Sequence, residues 1–195
     1  MKGHVSGFTL LTMLILAGCD ASAPVEPQPG TPRPTTSVPS PTGAFQLRPL
    51  RLPSVPAGGP CPVTPRTPWS GPGVAGAVLG EGPLYPVADY FRDGVLQLRD
   101  TDRRPAGGYE VKVRWIGAGY AGPVLVRAGR IDGKGAASVT FSNVGEKRDG
   151  GHYAELNGPT TDIPATTSVD GPGCYAYQVD GTTFSTVIVF RAALG

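Results

Sequence analysis

Outside its first nineteen residues the chain carries a single histidine, His152, next to Gly150 and Gly151. Nucleophilic catalysis needs a nucleophile, a base and a group that orients the base. A Gly-rich loop predicts instead a solvated surface histidine. The sequence holds no Gly-x-Ser-x-Gly elbow, and Trp69-Ser70-Gly71-Pro72-Gly73 reads as a turn. Asp100 and Asp102 sit two apart in a predicted loop, and Asp132 opens Asp-Gly-Lys-Gly. Calcium takes about six to eight oxygens, usually from several carboxylates, so these aspartates read as turn formers. Trp69, Tyr85, Tyr90, Phe91, Tyr120 and Tyr153 lie in or beside predicted loops. Exposed together they would stack on sugars or form a protein-binding patch; the plainer expectation is ordinary packing. No catalytic residue, metal ligand or cofactor-binding residue is assigned.

Charge narrows the field further. The net charge is +2, and Cys61 to Gly195 balances 13 Lys and Arg against 13 Asp and Glu. A neutral domain brings no net positive charge to displace counterions, which removes the electrostatic argument for nucleic-acid binding. Arg103-Arg104 reads as part of a solvated loop. Lys112, Arg114, Arg127 and Arg130 fall on predicted strands and are candidates for a basic stripe on one sheet, balanced by nearby acids.

The N-terminus reads as an export address. Lys2 supplies a short positive region, and Phe8 to Leu16 an apolar run of nine residues. A helix needs ~20 to cross a bilayer. Leu16-Ala17-Gly18-Cys19 follows and resembles the lipobox of bacterial lipoproteins. The resemblance implies cleavage between Gly18 and Cys19, with residues 1–18 as signal peptide, and transfer of diacylglycerol to the Cys19 thiol. Two or three acyl chains hold a membrane firmly, at ~0.8 kcal/mol per buried methylene. With Cys19 assigned to lipid, Cys61 and Cys174 remain. An even count in an exported protein reads as a disulfide. This one would close a loop of 112 intervening residues.

Residues 19–44 form the tether. Seven prolines between Pro24 and Pro41 alternate with Ser, Thr, Ala and Gln, a composition that favours extended polyproline II over packing. At ~3.1 Å per residue, Ala21 to Thr42 reaches about 70 Å. A Pro-rich ligand for a recognition module is the sharper alternative, but the same composition is the usual spacer after a lipidated cysteine. Phe45 to Val55 brings back Phe45, Leu47, Leu50, Leu52 and Val55, which predicts a Pro-interrupted edge strand and the start of the domain at residue 45.

Positioning falls to short strands. Tyr109 to Ile116 alternates apolar and charged residues over eight positions, the period of a half-buried strand. Val95 to Arg99, Val124 to Ile131, Ala137 to Phe141 and, more weakly, Tyr153 to Leu156 read as further strands. Ala88 to Asp93 allows one helical turn, and Gly145 to Gly151 is a charged loop. Gly173 to Arg191 reads as a closing hairpin around Asp180-Gly181, a dipeptide suited to a type I′ turn. About seven to nine strands without a helical period predict an all-β fold, an antiparallel β-sandwich over residues 45–195. The Gly-Cys-Tyr-x-Tyr-x-Val ending is similar to the last strands of bacterial immunoglobulin-like modules. That resemblance implies a core role for Trp115, though here the tyrosines follow the cysteine.

The resulting expectation is an exported protein anchored to the extracytoplasmic face of the cell membrane through Cys19. Its sandwich serves an interaction or structural role, with an envelope protein or glycan as partner. The alternatives are a module binding a glycan or small molecule and, further off, an envelope hydrolase.

Overall fold

The computed structural model describes residues 44–195; the expected signal peptide, Cys19 and the expected tether up to residue 43 lie outside the described residues. The described part is all-β, with thirteen strands in two packed sheets and a small ribbon. Eight of the strands have four or more residues, which accounts for the seven to nine expected. The other five are two or three residues long, too short to leave a periodic signal.

The ribbon pairs β1 (Arg66–Pro68) with β2 (Ala77–Leu79). The smaller sheet contains β3 (Leu84–Pro86), β6 (Tyr109–Ala118), β8 (Ala137–Phe141) and β11 (Thr160–Val169) in the order β3-β6-β11-β8. The larger contains β4 (Phe91–Arg92), β5 (Val95–Leu98), β7 (Gly122–Arg130), β9 (Glu146–Arg148), β10 (Gly151–Leu156), β12 (Gly173–Gly181) and β13 (Ser185–Leu194), in the order β4-β5-β13-β12-β7-β10-β9. All strand pairs are antiparallel except β13 with β5. The single helical turn expected after Ala88 is a 3₁₀ turn, Ala88–Tyr90.

The core lies between the sheets. Tyr109, Val113 and Trp115 of β6 meet Tyr175, Tyr177 and Val179 of β12, all buried, as the two-residue alternation requires. Trp115 is fully buried, its ring edge-on to Tyr177 at 5.1 Å and to Phe141 at 5.8 Å. Tyr177 in turn stacks on Phe190 at 4.6 Å. Each such aromatic pair adds ~0.5–1.5 kcal/mol beyond area burial. The Tyr177 hydroxyl and Thr167 Oγ1 satisfy each other across the sheets at 2.6 Å.

Two local expectations are corrected. Phe45 to Val55 is not an edge strand. It and the residues after it form a strap, residues 44–65, laid across the outer face of the larger sheet. Its prolines block ladder pairing, so it is held by scattered bonds: Val55 N–H to Ile131 O at 2.8 Å, and Thr64 N–H to Val189 O at 2.9 Å. Gly129 of β7 leaves the space Leu52 fills; a Cβ there would stand 2.7 Å from Leu52 Cδ1.

The closing hairpin is present, but Asp180-Gly181 is not its turn. Asp180 pairs with Ser185 inside the ladder, Gly181 N–H donates to Phe184 O at 3.0 Å, and Thr182-Thr183 form the tip. The Tyr120 hydroxyl holds that tip through Thr182 N–H and Thr182 Oγ1, both at 3.2 Å. The left-handed Asp-Gly pairs lie elsewhere. Asp93-Gly94 joins β4 to β5 and Asp149-Gly150 joins β9 to β10, with φ of 51° and 76°, and 53° and 74°. The segment expected as a charged loop is therefore a hairpin of its own.

Candidate functional site

Beneath the strap lies a buried polar network on the outer face of β7, β12 and β13. The Asp180 carboxylate, with no exposed surface, accepts from Arg127 Nη2 at 2.6 Å, from Ser185 Oγ at 2.6 Å and from Gln178 Nε2 at 3.0 and 3.1 Å. The strap closes it from above. Arg127 Nη2 also donates to Arg48 O at 2.8 Å, Gln178 Nε2 donates to Pro49 O at 3.0 Å, and Arg51 N–H donates to Gln178 Oε1 at 2.6 Å. Each of these four donors finds an oxygen of fixed position, as burial requires, while Arg127 Nε is buried without a partner. This arrangement can latch a segment; it leaves Asp180 no open lone pair directed at a substrate.

Beside it, Cys61 and Cys174 form a disulfide, Cα to Cα 5.5 Å. The bond joins strap to sheet on the outer face, amid Val55, Ile131, Ala176 and Val189. In antibody-type domains the disulfide joins the two sheets and packs on the core tryptophan. Here Trp115 belongs to the inner core and the cystine to the covered outer face. Asp132 reinforces the junction by accepting from Arg130 Nε at 2.7 Å and from Cys174 N–H at 2.9 Å. Burial alone would raise the Asp132 carboxyl, but those two donated bonds and the Arg130 charge outweigh it and hold the pKa below its ordinary value.

The other residues singled out by chemistry do not converge. His152 is a buried residue of β10, not a solvated loop side chain. Its Nε2 meets Val144 O at 2.8 Å and its ring packs against Phe141 at 5.2 Å. The basic stripe is divided: Lys112 and Arg114 stand on the smaller sheet, Arg127 and Arg130 on the larger. Arg114 pairs with Asp162 at 3.5 Å and Arg130 with Asp132. Asp100 and Asp102 form a second 3₁₀ turn, Asp100–Asp102. Among the described residues no group of three His, Cys, Asp or Glu side chains is placed to hold a metal ion.

The aromatics also scatter. Phe91 is core, and Tyr120 is buried under the hairpin tip. Trp69 packs edge-on to Tyr85 at 5.3 Å, and Tyr153 meets Phe45 of the strap at 5.6 Å. Tyr90 alone of the six is markedly exposed, at 41%.

Tyr90 stands on the rim of a cleft of about 430 Å³ that sequence reasoning missed. The 3₁₀ turn Ala88–Tyr90, β4, β5, the turn Asp100–Asp102 and β6 build its walls. It opens there because β3 covers only Trp115–Gly117 of the β6 edge, leaving the earlier half of that edge without a neighbouring strand. Arg92, Gln97, Arg99 and Lys112 line it with Tyr90, Val111, Asp89 and Asp102. These residues run from Asp89 to Lys112 with no common spacing, so no motif announces them.

No family model, curated protein or solved structure matches this chain.

Proposed function

We propose that this chain is a lipid-anchored protein of the cell envelope, attached through Cys19 and held off the membrane by its Pro-rich tether, whose sandwich works by binding and not by catalysis. The observation that carries this reading is the Cys61–Cys174 disulfide in a chain led by Leu-Ala-Gly-Cys. Disulfides persist in oxidising compartments, which agrees with export. The placement of the bond supports a tethered design. It ties the segment entering the sandwich directly to β12, the central strand of the larger sheet. A binding role draws support from the polar groups themselves, since the Asp180 carboxylate is spent on internal bonds and the His152 ring is buried against Phe141.

Cys19→Ser tests the anchor. The unaltered chain is expected in the detergent phase on cloud-point partitioning, and the variant in the aqueous phase. Equal partitioning of the two overturns the anchored reading.

A further inference from the structure

We infer that the cleft between the edge of the larger sheet and β6 binds a monosaccharide-sized ligand carrying a carboxylate or phosphate. This deepens the binding-module reading and rests on it.

The argument begins with uncommitted charge. Seven of the described cations have a carboxylate within 4 Å: Arg66, Arg103, Arg104, Arg114, Arg127, Arg130 and Arg148. Of the eight described cations that have none among the described residues, Arg92, Arg99 and Lys112 line one cleft. Lys112 Nζ reaches to Thr166 Oγ1 at 3.1 Å on β11, away from the open edge of β6, so Arg92 and Arg99 supply the uncommitted donors. The two aspartates of the lining do not cancel this. Asp89 Oδ1 accepts from Arg66 at 3.2 Å and Oδ2 from Gly76 N–H at 2.8 Å, so both oxygens are committed. Asp102 Oδ2 accepts from Arg99 N–H at 3.1 Å, fastening the 3₁₀ turn. Arg66 neutralises Asp89, which leaves the single carboxylate of Asp102 against two guanidiniums with free donors. Guanidinium geometry matches the paired oxygens of carboxylate and phosphate.

Size and lining then set the class. A cleft of about 430 Å³ falls at the small end of ligand sites, roughly 300–1,000 Å³. The exposed Tyr90 ring offers one flat apolar face, and the Gln97 amide offers both a donor and an acceptor. Sugar hydroxyls and a ring face suit that combination, and the oxyanion suits the two guanidiniums.

Equilibrium dialysis of the full chain in detergent, against labelled glucuronic acid, glucose 6-phosphate and glucose, tests the inference. At least one acid is expected to bind about tenfold more tightly than glucose, and raised salt should weaken it. Which acid wins distinguishes a carboxylate from a phosphate source. Arg92→Gln with Arg99→Gln should weaken that acid at least about tenfold. Both side chains are exposed, so the double variant is expected to melt with the parent. Lys134→Gln with Lys147→Gln removes the same charge elsewhere and should leave binding unchanged. Acids bound no better than glucose, or binding that survives the Arg92 and Arg99 changes, overturns the cleft assignment. Recovery of the ligand is read by mass spectrometry. Chemically altered sugar would overturn the non-catalytic reading while leaving the cleft in place.

Discussion

The two outer faces of the sandwich share one pleated geometry and end in opposite environments. On the smaller sheet, Glu110, Lys112, Asp162 and Pro164 point into water, and Arg114 pairs with Asp162 where the two side chains are 29% and 51% exposed. On the larger sheet the equivalent positions, Arg127, Gln178 and Asp180, are buried, because residues 44–65 lie over them. A charge pair in water is worth little, since solvent already satisfies both ions. A pair taken out of water is supported only by its fixed partners and becomes costly to break. The same residue types therefore do different physical work on the two faces, and the strap is the cause.

The largest expected effect tests the strap's fastening. Replacing Cys61 and Cys174 by serine releases a loop closed over a sequence separation of 113, and should lower unfolding stability by ~4–5 kcal/mol in the loop-entropy account. Urea melts of the chain with and without the bond measure it. If the covered face were merely decorated by the strap, the loss would fall below about 1 kcal/mol, and the contrast between the faces would fail.

The ion pairs sharpen the same contrast. Asp180→Ala leaves the Arg127 guanidinium buried without its carboxylate, and should cost ~3–5 kcal/mol. Asp162→Ala breaks the exposed pair, and should cost at most ~1 kcal/mol. Measured side by side in urea, equal losses would mean that burial of the Arg127–Asp180 pair carries no energetic weight. Adding Arg127→Met to Asp180→Ala should recover part of the loss, because no unpaired charge then remains.

The contrast also explains what the sequence made legible. Tyr109 to Ile116 could be read because its outer face is wet, so apolar and charged residues alternate down the strand. In β12, eight of the nine residues are buried, because the core covers one face and the strap the other. The period is lost there, and Asp180 passes for a turn residue. Five Asp-Gly dipeptides occur in the chain, and only those at Asp93 and Asp149 adopt the paired left-handed conformation. Dipeptide identity cannot separate them. What separates Asp180 is a set of carboxylate partners, Arg127 and Ser185 among them, that outweighs local turn preference. The cystine pairing was readable from counting alone. The cleft was not, because its cations come from different elements and gather through the gap left by the short β3.

The smallest effect concerns acid. Asp132 sits where strap, β7 and β12 meet, and its folded-state pKa is lowered: burial opposes ionisation, but the Arg130 and Cys174 donors outweigh it. A carboxyl ionised more readily when folded than when unfolded stabilises the fold above its unfolded pKa, ~3.9. That contribution is fully present near neutral pH and is lost as pH falls through the unfolded value and then through the lower folded one. Asp132→Asn should cost about 1 kcal/mol at pH 7 and progressively less towards pH 3. Melts at both pH values check the sign. A deficit that stays constant with pH would mean that Asp132 acts by shape alone, and that charge at the covered face matters only beneath the strap, at Asp180.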